Sequence, residues 1–242
     1  MENNNPNYVY ENVIQINDTD ASRKYLAKVF TWMFVALGIS AFVAFEFYLN
    51  QGLMDLIVNP ATGFTGLGYV AIFAPLAFSL ALSFGLSRMS YPTTLILFIA
   101  YAATMGVSLS VLGLIYTASS MFGVFLSASA VFAIMAIAGY TTQMDLTKMG
   151  SILIVVFFGA FAVSIINFFL GSSQLQYIIS FVFMVVMIGL TAYYIQMLKR
   201  IGAGIEYGNA ESKKLVVMGA FVLYTTFINL FMSMLRIFGS RR

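Results

Sequence analysis

The sequence predicts an all-α polytopic membrane protein of seven transmembrane helices with the last helix central, and three observations lead there. Of 242 residues, 61% are hydrophobic and 9% charged, whereas soluble domains carry about 25% charged residues. Seven apolar runs, roughly 26–49, 67–87, 93–116, 121–140, 151–170, 176–197 and 215–238, each meet the need for about 20 apolar residues per crossing. The basic residues alternate with these runs. Arg23, Lys24, Lys28, Arg88, Lys148, Lys199, Arg200, Lys213 and Lys214 all lie before or at the start of span 1 or in the loops after spans 2, 4 and 6. Positive charge favours the inner side, so the N-terminus is expected in the cytoplasm. Arg236, Arg241 and Arg242 then fall outside.

Taken in order, residues 1–25 read as a flexible cytoplasmic tail and 26–242 as one seven-helix membrane domain. The tail lacks the basic start, short apolar core and small-residue cleavage site of a signal peptide. Span 2 contains Pro75, which is expected to kink it. Span 3 carries the small-residue stripe Ala102, Gly106, Ser110, and span 4 reads SASAVFAIMAIAG. Such stripes let helices approach closely. Span 7 holds Tyr224, Thr225, Thr226 and Asn229 in LYTTFIN. Hydroxyls and amides at that depth seek partners, so this helix should face other helices rather than lipid. Asn167 in span 5 and Gln196 in span 6 are further polar handles.

Several chemistries drop out early. The chain has no cysteine and no histidine. Disulfides, Cys/His zinc sites and histidine haem ligation are therefore impossible. No cofactor and no metal site is expected. A Ser–His arrangement is excluded and no span offers an acid pair, so an enzyme is not expected. The sequence pI near 9.0 fits a membrane protein oriented by its loops better than a nucleic-acid binder. Within the spans the ionisable residues are Glu46 and Arg236, both near outer ends. They are expected to pair, the alternative being that each snorkels separately to the headgroups.

Three segments carry a resemblance: DLTKMGSILIVVFFGAF at 145–161, GLTAYYIQMLKRIG at 189–202 and VLYTTFINLFMSMLRIFG at 222–239. In this order, across seven spans, the chain resembles bacterial members of the Bax inhibitor-1 family over nearly its whole length. The resemblance implies seven helices with the last surrounded by the other six. It also implies a calcium leak with a pH-sensitive gate, or modulation of a membrane-bound protease in bacteria. The family gate is an aspartate pair, one on span 6 in an Ala-Tyr-Asp-Thr-Gln pattern and one on span 7 in Leu-Tyr-Leu-Asp-Phe-Ile-Asn. Here Ala192, Tyr193, Tyr194, Ile195, Gln196 stand at the first, so Tyr194 replaces the acid. At the second, Thr226 of Leu223, Tyr224, Thr225, Thr226, Phe227, Ile228, Asn229 does.

Tyr194 and Thr226, with Tyr193 and Asn229 beside them, are therefore the gate and pore candidates. A tyrosine titrates near pH 10 and a threonine not at all. The pair is expected to share a neutral hydrogen bond and to have lost the switch. Tyr194 also suits an interfacial belt, and at about 1.5 Å per residue its depth differs from that of Thr226. Two functions follow from the resemblance: an inner-membrane ion leak, calcium included, with an altered gate, or a non-conducting modulator of a protease or other membrane partner.

Overall fold

The computed structural model describes residues 19–59, 61, 63–85, 88–205 and 209–242. Most of the expected tail, residues 1–18, lies outside the described residues. The elements are α1 (Thr19–Leu49), α2 (Gln51–Asp55), β1 (Val58–Asn59), β2 (Gly63–Phe64), α3 (Gly66–Gly85), α4 (Tyr91–Ser110), α5 (Leu112–Ile115), α6 (Ala118–Thr141), α7 (Thr147–Leu170), α8 (Ser173–Ala203) and α9 (Ala210–Phe238). Seven of the described helical stretches are long and apolar enough to cross a membrane, α4 and α5 counting as one.

Local chemistry sets many of the boundaries. Ser90, Thr117, Ser172 and Asn209 cap α4, α6, α8 and α9, each side chain accepting a backbone N–H of the first turn. Those N–H groups have no partner within the helix. The helix α7 ends at Gly171, whose φ of +66° is a conformation that only glycine adopts cheaply. The loop between the first two spans contains a two-residue antiparallel hairpin, β1 against β2, turning near Gly63 at φ +82°.

Helix α1 begins earlier than the sequence reading placed it. Residues 19–25, expected in the tail, are helical. Ser22 and Tyr25 are buried, donating to Lys199 O at 2.9 Å and Leu215 O at 2.9 Å. Two hydroxyls three residues apart share a helix face, and that face meets the end of α8 and the start of α9.

The centre belongs to α9. It packs on α1, α4, α6 and α8. Its apolar core is 67% buried inside the protein, against 11% for α7. Helix α7 leans chiefly on α8, and α3 on α4. The small-residue stripe on α4 meets α1, where a Cβ added at Gly106 would lie 2.6 Å from Ser40 O. Helix α6 approaches α8 as closely, a Cβ at Gly139 falling 2.3 Å from Ala192 O.

Pro75 is buried inside α3. Its ring nitrogen has no hydrogen to give the carbonyl four residues earlier. The Ser108 hydroxyl of α4 donates to that carbonyl, Ala71 O, at 2.7 Å. The carbonyl left without its helical donor is thus satisfied by a neighbour, and α3 continues unbroken from Gly66 to Gly85.

The start of α1, the α6–α7 loop and the α8–α9 loop lie on one side of the bundle, called proximal below. On the distal side residues after α9 fold back over the α5–α6 junction. Tyr116 bridges Arg241, Thr117 N donates to Ser240 O at 3.2 Å, and Arg242 N donates to Ile115 O at 3.0 Å.

Candidate functional site

Mid-membrane, three helices are tied by uncharged hydroxyls. Ser40 of α1 touches Ala36 O at 3.0 Å, Ala102 O at 2.7 Å and the Tyr224 hydroxyl at 2.6 Å. Carbonyls only accept, so the single Ser40 hydrogen points to one of them and Tyr224 donates to Ser40. One helix further round, the Tyr101 hydroxyl meets Thr225 Oγ1 at 3.3 Å. The rings close the space. Tyr224 lies edge-on to Phe98 and Tyr101 at 6.1 and 5.5 Å, and Tyr101 meets Phe221 at 5.1 Å. Tyr101, Ser40 and Tyr224 are buried. This core is polar enough to fix helix register, yet carries no charge to attract an ion.

On the proximal side α8 clasps the α6–α7 loop. Buried Gln196 accepts from Leu146 N at 2.9 Å and donates to Met144 O at 2.7 Å. Arg200, one turn on, donates to Asp145 Oδ1 at 2.9 Å and to Gln196 Oε1 at 3.2 Å. The Lys199 ammonium donates to Tyr140 O at 2.9 Å and sits 4.6 Å above the Tyr140 ring.

Asp145 also accepts the Thr147 hydroxyl at 2.6 Å and Thr147 N at 3.0 Å. The Thr147 hydroxyl, then the Thr147 N–H and then the Arg200 guanidinium lower its carboxyl pKa from 3.8 to about 2. These bonds favour the ionised form. Their stabilisation is full above the unfolded carboxyl's pKa and is lost as pH falls through about 2. Asp145→Asn should therefore lower the melting temperature by a constant amount between pH 5 and 8. The gap to the unmodified protein should close below about pH 4, read from the fluorescence of Trp32.

The family model described as Inhibitor of apoptosis-promoting Bax1 matches residues 22–242. Inner membrane protein YbhL of Escherichia coli K12 is 36% identical over 219 residues, 90% of this chain and 92% of its own. The chain belongs to the Bax inhibitor-1 family. Bax inhibitor-1 relatives at similar distance include the uncharacterized protein RP147 of Rickettsia prowazekii, 38% identical over 223 residues and 91% of each chain. Another is the uncharacterized membrane protein SpyM3_0260 of Streptococcus pyogenes, 31% identical over 231 residues, 95% of this chain and 98% of its own.

In this Bax inhibitor-1 member the expected bond between Tyr194 and Thr226 is absent. The Thr226 hydroxyl donates to Val222 O on its own helix at 2.8 Å. Gly219 of α9 lies against Leu198 of α8, and the helices run antiparallel. Seven residues further, Thr226 is level with Thr191, about 4.5 Å along the axis from Tyr194. The deeply buried stripe of α8 is Thr191, Ile195, Leu198, so Tyr194 sits on its flank. Tyr194 is half-buried, 5.2 Å from the Tyr193 ring. Tyr193 packs over Gly150 of α7, and the Asn229 amide donates to Thr225 O at 2.9 Å on its own helix.

The expected outer pair also fails. Among the described residues the ion pairs are Arg23–Asp20 and Arg200–Asp145, and neither Glu46 nor Arg236 joins one. Helical phase explains it. Glu46 lies six residues past Ser40, about 240° round α1, and Arg236 twelve past Tyr224, about 120° round α9, at about 100° per residue. Both point off the α1–α9 seam, and both are exposed. The basic residue that does reach α1 there is Arg242, donating to the Tyr48 hydroxyl at 2.6 Å. Ser40 and Tyr101 were not singled out by the sequence.

Proposed function

We propose that the chain is a multi-pass protein of a bacterial inner membrane, N-terminus in the cytoplasm, carrying a slow cation leak, calcium included. Its gate is a neutral hydroxyl lock rather than an acid pair. The observation behind this reading is the Tyr224–Ser40 bond of 2.6 Å, joining α9 to α1 where a carbonyl of α4 also accepts. It holds three helices together at the centre, and its loss would let them part. The nine proximal basic residues support the orientation, and the relation to YbhL, an inner membrane protein by name, supports the location.

The lock contains only serine, threonine and tyrosine, and the ordinary tyrosine pKa is near 10. Calcium entry into proteoliposomes is therefore expected to change by less than about twofold between pH 5 and 8. Ser40→Ala should raise it at every pH. A steep change near pH 6–7 in the unmodified protein would contradict the neutral lock.

A second reading, a non-conducting modulator of a membrane-bound protease or other membrane partner, is favoured by the close aromatic packing of the same centre. Absence of flux in the unmodified protein, in Ser40→Ala and in Tyr224→Phe alike would select it.

A further inference from the structure

Helices α1 and α6 both pack on α9 but leave a furrow between them, floored by Phe227 and Ile195. Its walls are apolar, with Phe30, Leu37 and Gly38 on α1 and Ala133 and Ala136 on α6. The cavity has a volume of about 660 Å³. A second cavity of about 430 Å³ shares Leu37, Ala41, Phe125 and Phe227 and continues the furrow to Tyr48 on the distal side. Polar groups stand at its proximal mouth, namely Arg23 and Tyr140.

We propose that this furrow binds one membrane phospholipid, an acyl chain lying between α1 and α6 and its phosphodiester held by Arg23. Size argues for a chain over a helix. From Arg23 to Ala41 α1 rises about 27 Å, so the cavity of about 660 Å³ is long and slender, the shape of one extended chain. Charge argues for a headgroup. The Arg23 guanidinium is exposed and held only loosely, 3.8 Å from Asp20 and 3.4 Å from the Tyr140 hydroxyl. Neither contact engages the planar fork in two parallel bonds, which a phosphate can accept. Lys199, whose ammonium sits 4.6 Å from the Tyr140 ring centroid, adds positive charge beside Tyr140, and Asp20 is the acid next to Arg23.

The test is native mass spectrometry of the full chain in detergent after incubation with dioleoylphosphatidylglycerol. One strongly retained lipid is expected. Arg23→Gln should cut retention by about tenfold, the loss of one charge-assisted contact, and Arg23→Lys should recover part of it. A Cβ at Gly38 meets nothing within 4 Å, so Gly38→Leu should fold and block the furrow from one wall, and Ala133→Leu from the other. Gly159→Leu on α7, where a Cβ also meets open space, should leave retention unchanged. Dioleoylglycerol, lacking the phosphate, should be held about tenfold less, and excess inorganic phosphate should not displace the lipid. Retention unaffected by both Gly38→Leu and Ala133→Leu would overturn the acyl-chain site. Equal retention of dioleoylglycerol, or retention unaffected by Arg23→Gln, would overturn the role of Arg23, and displacement by inorganic phosphate alone would overturn the acyl-chain site.

Discussion

Gly139→Val is expected to cost about 3 kcal/mol or more of stability, measured by denaturant unfolding in mixed micelles. The smallest added carbon would sit 2.3 Å from Ala192 O and 2.7 Å from Ala192 Cα. Both are backbone atoms and cannot rotate aside, so α6 and α8 must separate. Overpacking costs about 1–3 kcal/mol when side chains can yield, and here none stands in the way to yield. Gly159→Val is the matched control, because its Cβ enters open space, and it should stay within about 0.5 kcal/mol of the unmodified protein. Equal stability of the two variants would mean that α6 and α8 do not touch at Gly139.

Tyr224→Ala should cost about 3–5 kcal/mol, the range for removing a large buried ring, and should also raise proteoliposome calcium flux. Tyr224 is 0% exposed and fills the space between Phe98, Tyr101 and Ser40, so its truncation leaves a void where α1, α4 and α9 meet. Tyr224→Phe separates the two effects. It keeps the ring contacts and removes only the bond to Ser40, worth about 0.6 kcal/mol on average and at most about 1.7 in membrane bundles. A flux increase with Tyr224→Phe as large as with Tyr224→Ala would assign gating to the hydrogen bond. An increase with Tyr224→Ala alone would assign it to packing.

The bundle was legible where the signal is summed over many residues. Seven crossings, the central place of α9 and the close meeting of α4 with another helix through Ala102, Gly106 and Ser110 all follow from runs and stripes. Pairwise contacts were not legible, because they depend on helix phase and on axial offset. Glu46 and Arg236 share a depth but point away from the seam. Tyr194 is one position off the stripe that α8 buries. Ser40 gave no warning at all, since Ser127, Ser129 and Ser180 likewise donate to the carbonyl four residues back. The arrival of Ala102 O from α4 and Tyr224 from α9 distinguishes it. Gln196 was recognised as a polar handle, but its partners are backbone atoms of the α6–α7 loop, which residue types do not reveal.

The central position of α9 has a consequence for assembly in the cell. A ribosome makes this helix after the other six spans, so the scaffold that surrounds it is threaded into the bilayer before its own middle exists. Until then Ser40 and Tyr101 face the place where Tyr224 and Thr225 will later stand, and the contacts of α1 with α9 join residues about 180 positions apart, as in Ser40 with Tyr224. Such long-range closure is slow, and the waiting intermediate offers an apolar slot to any passing helix. Nascent chains stalled before residue 210 should therefore remain protease-sensitive although embedded, and completion of α9 should convert them to the resistant form in one step.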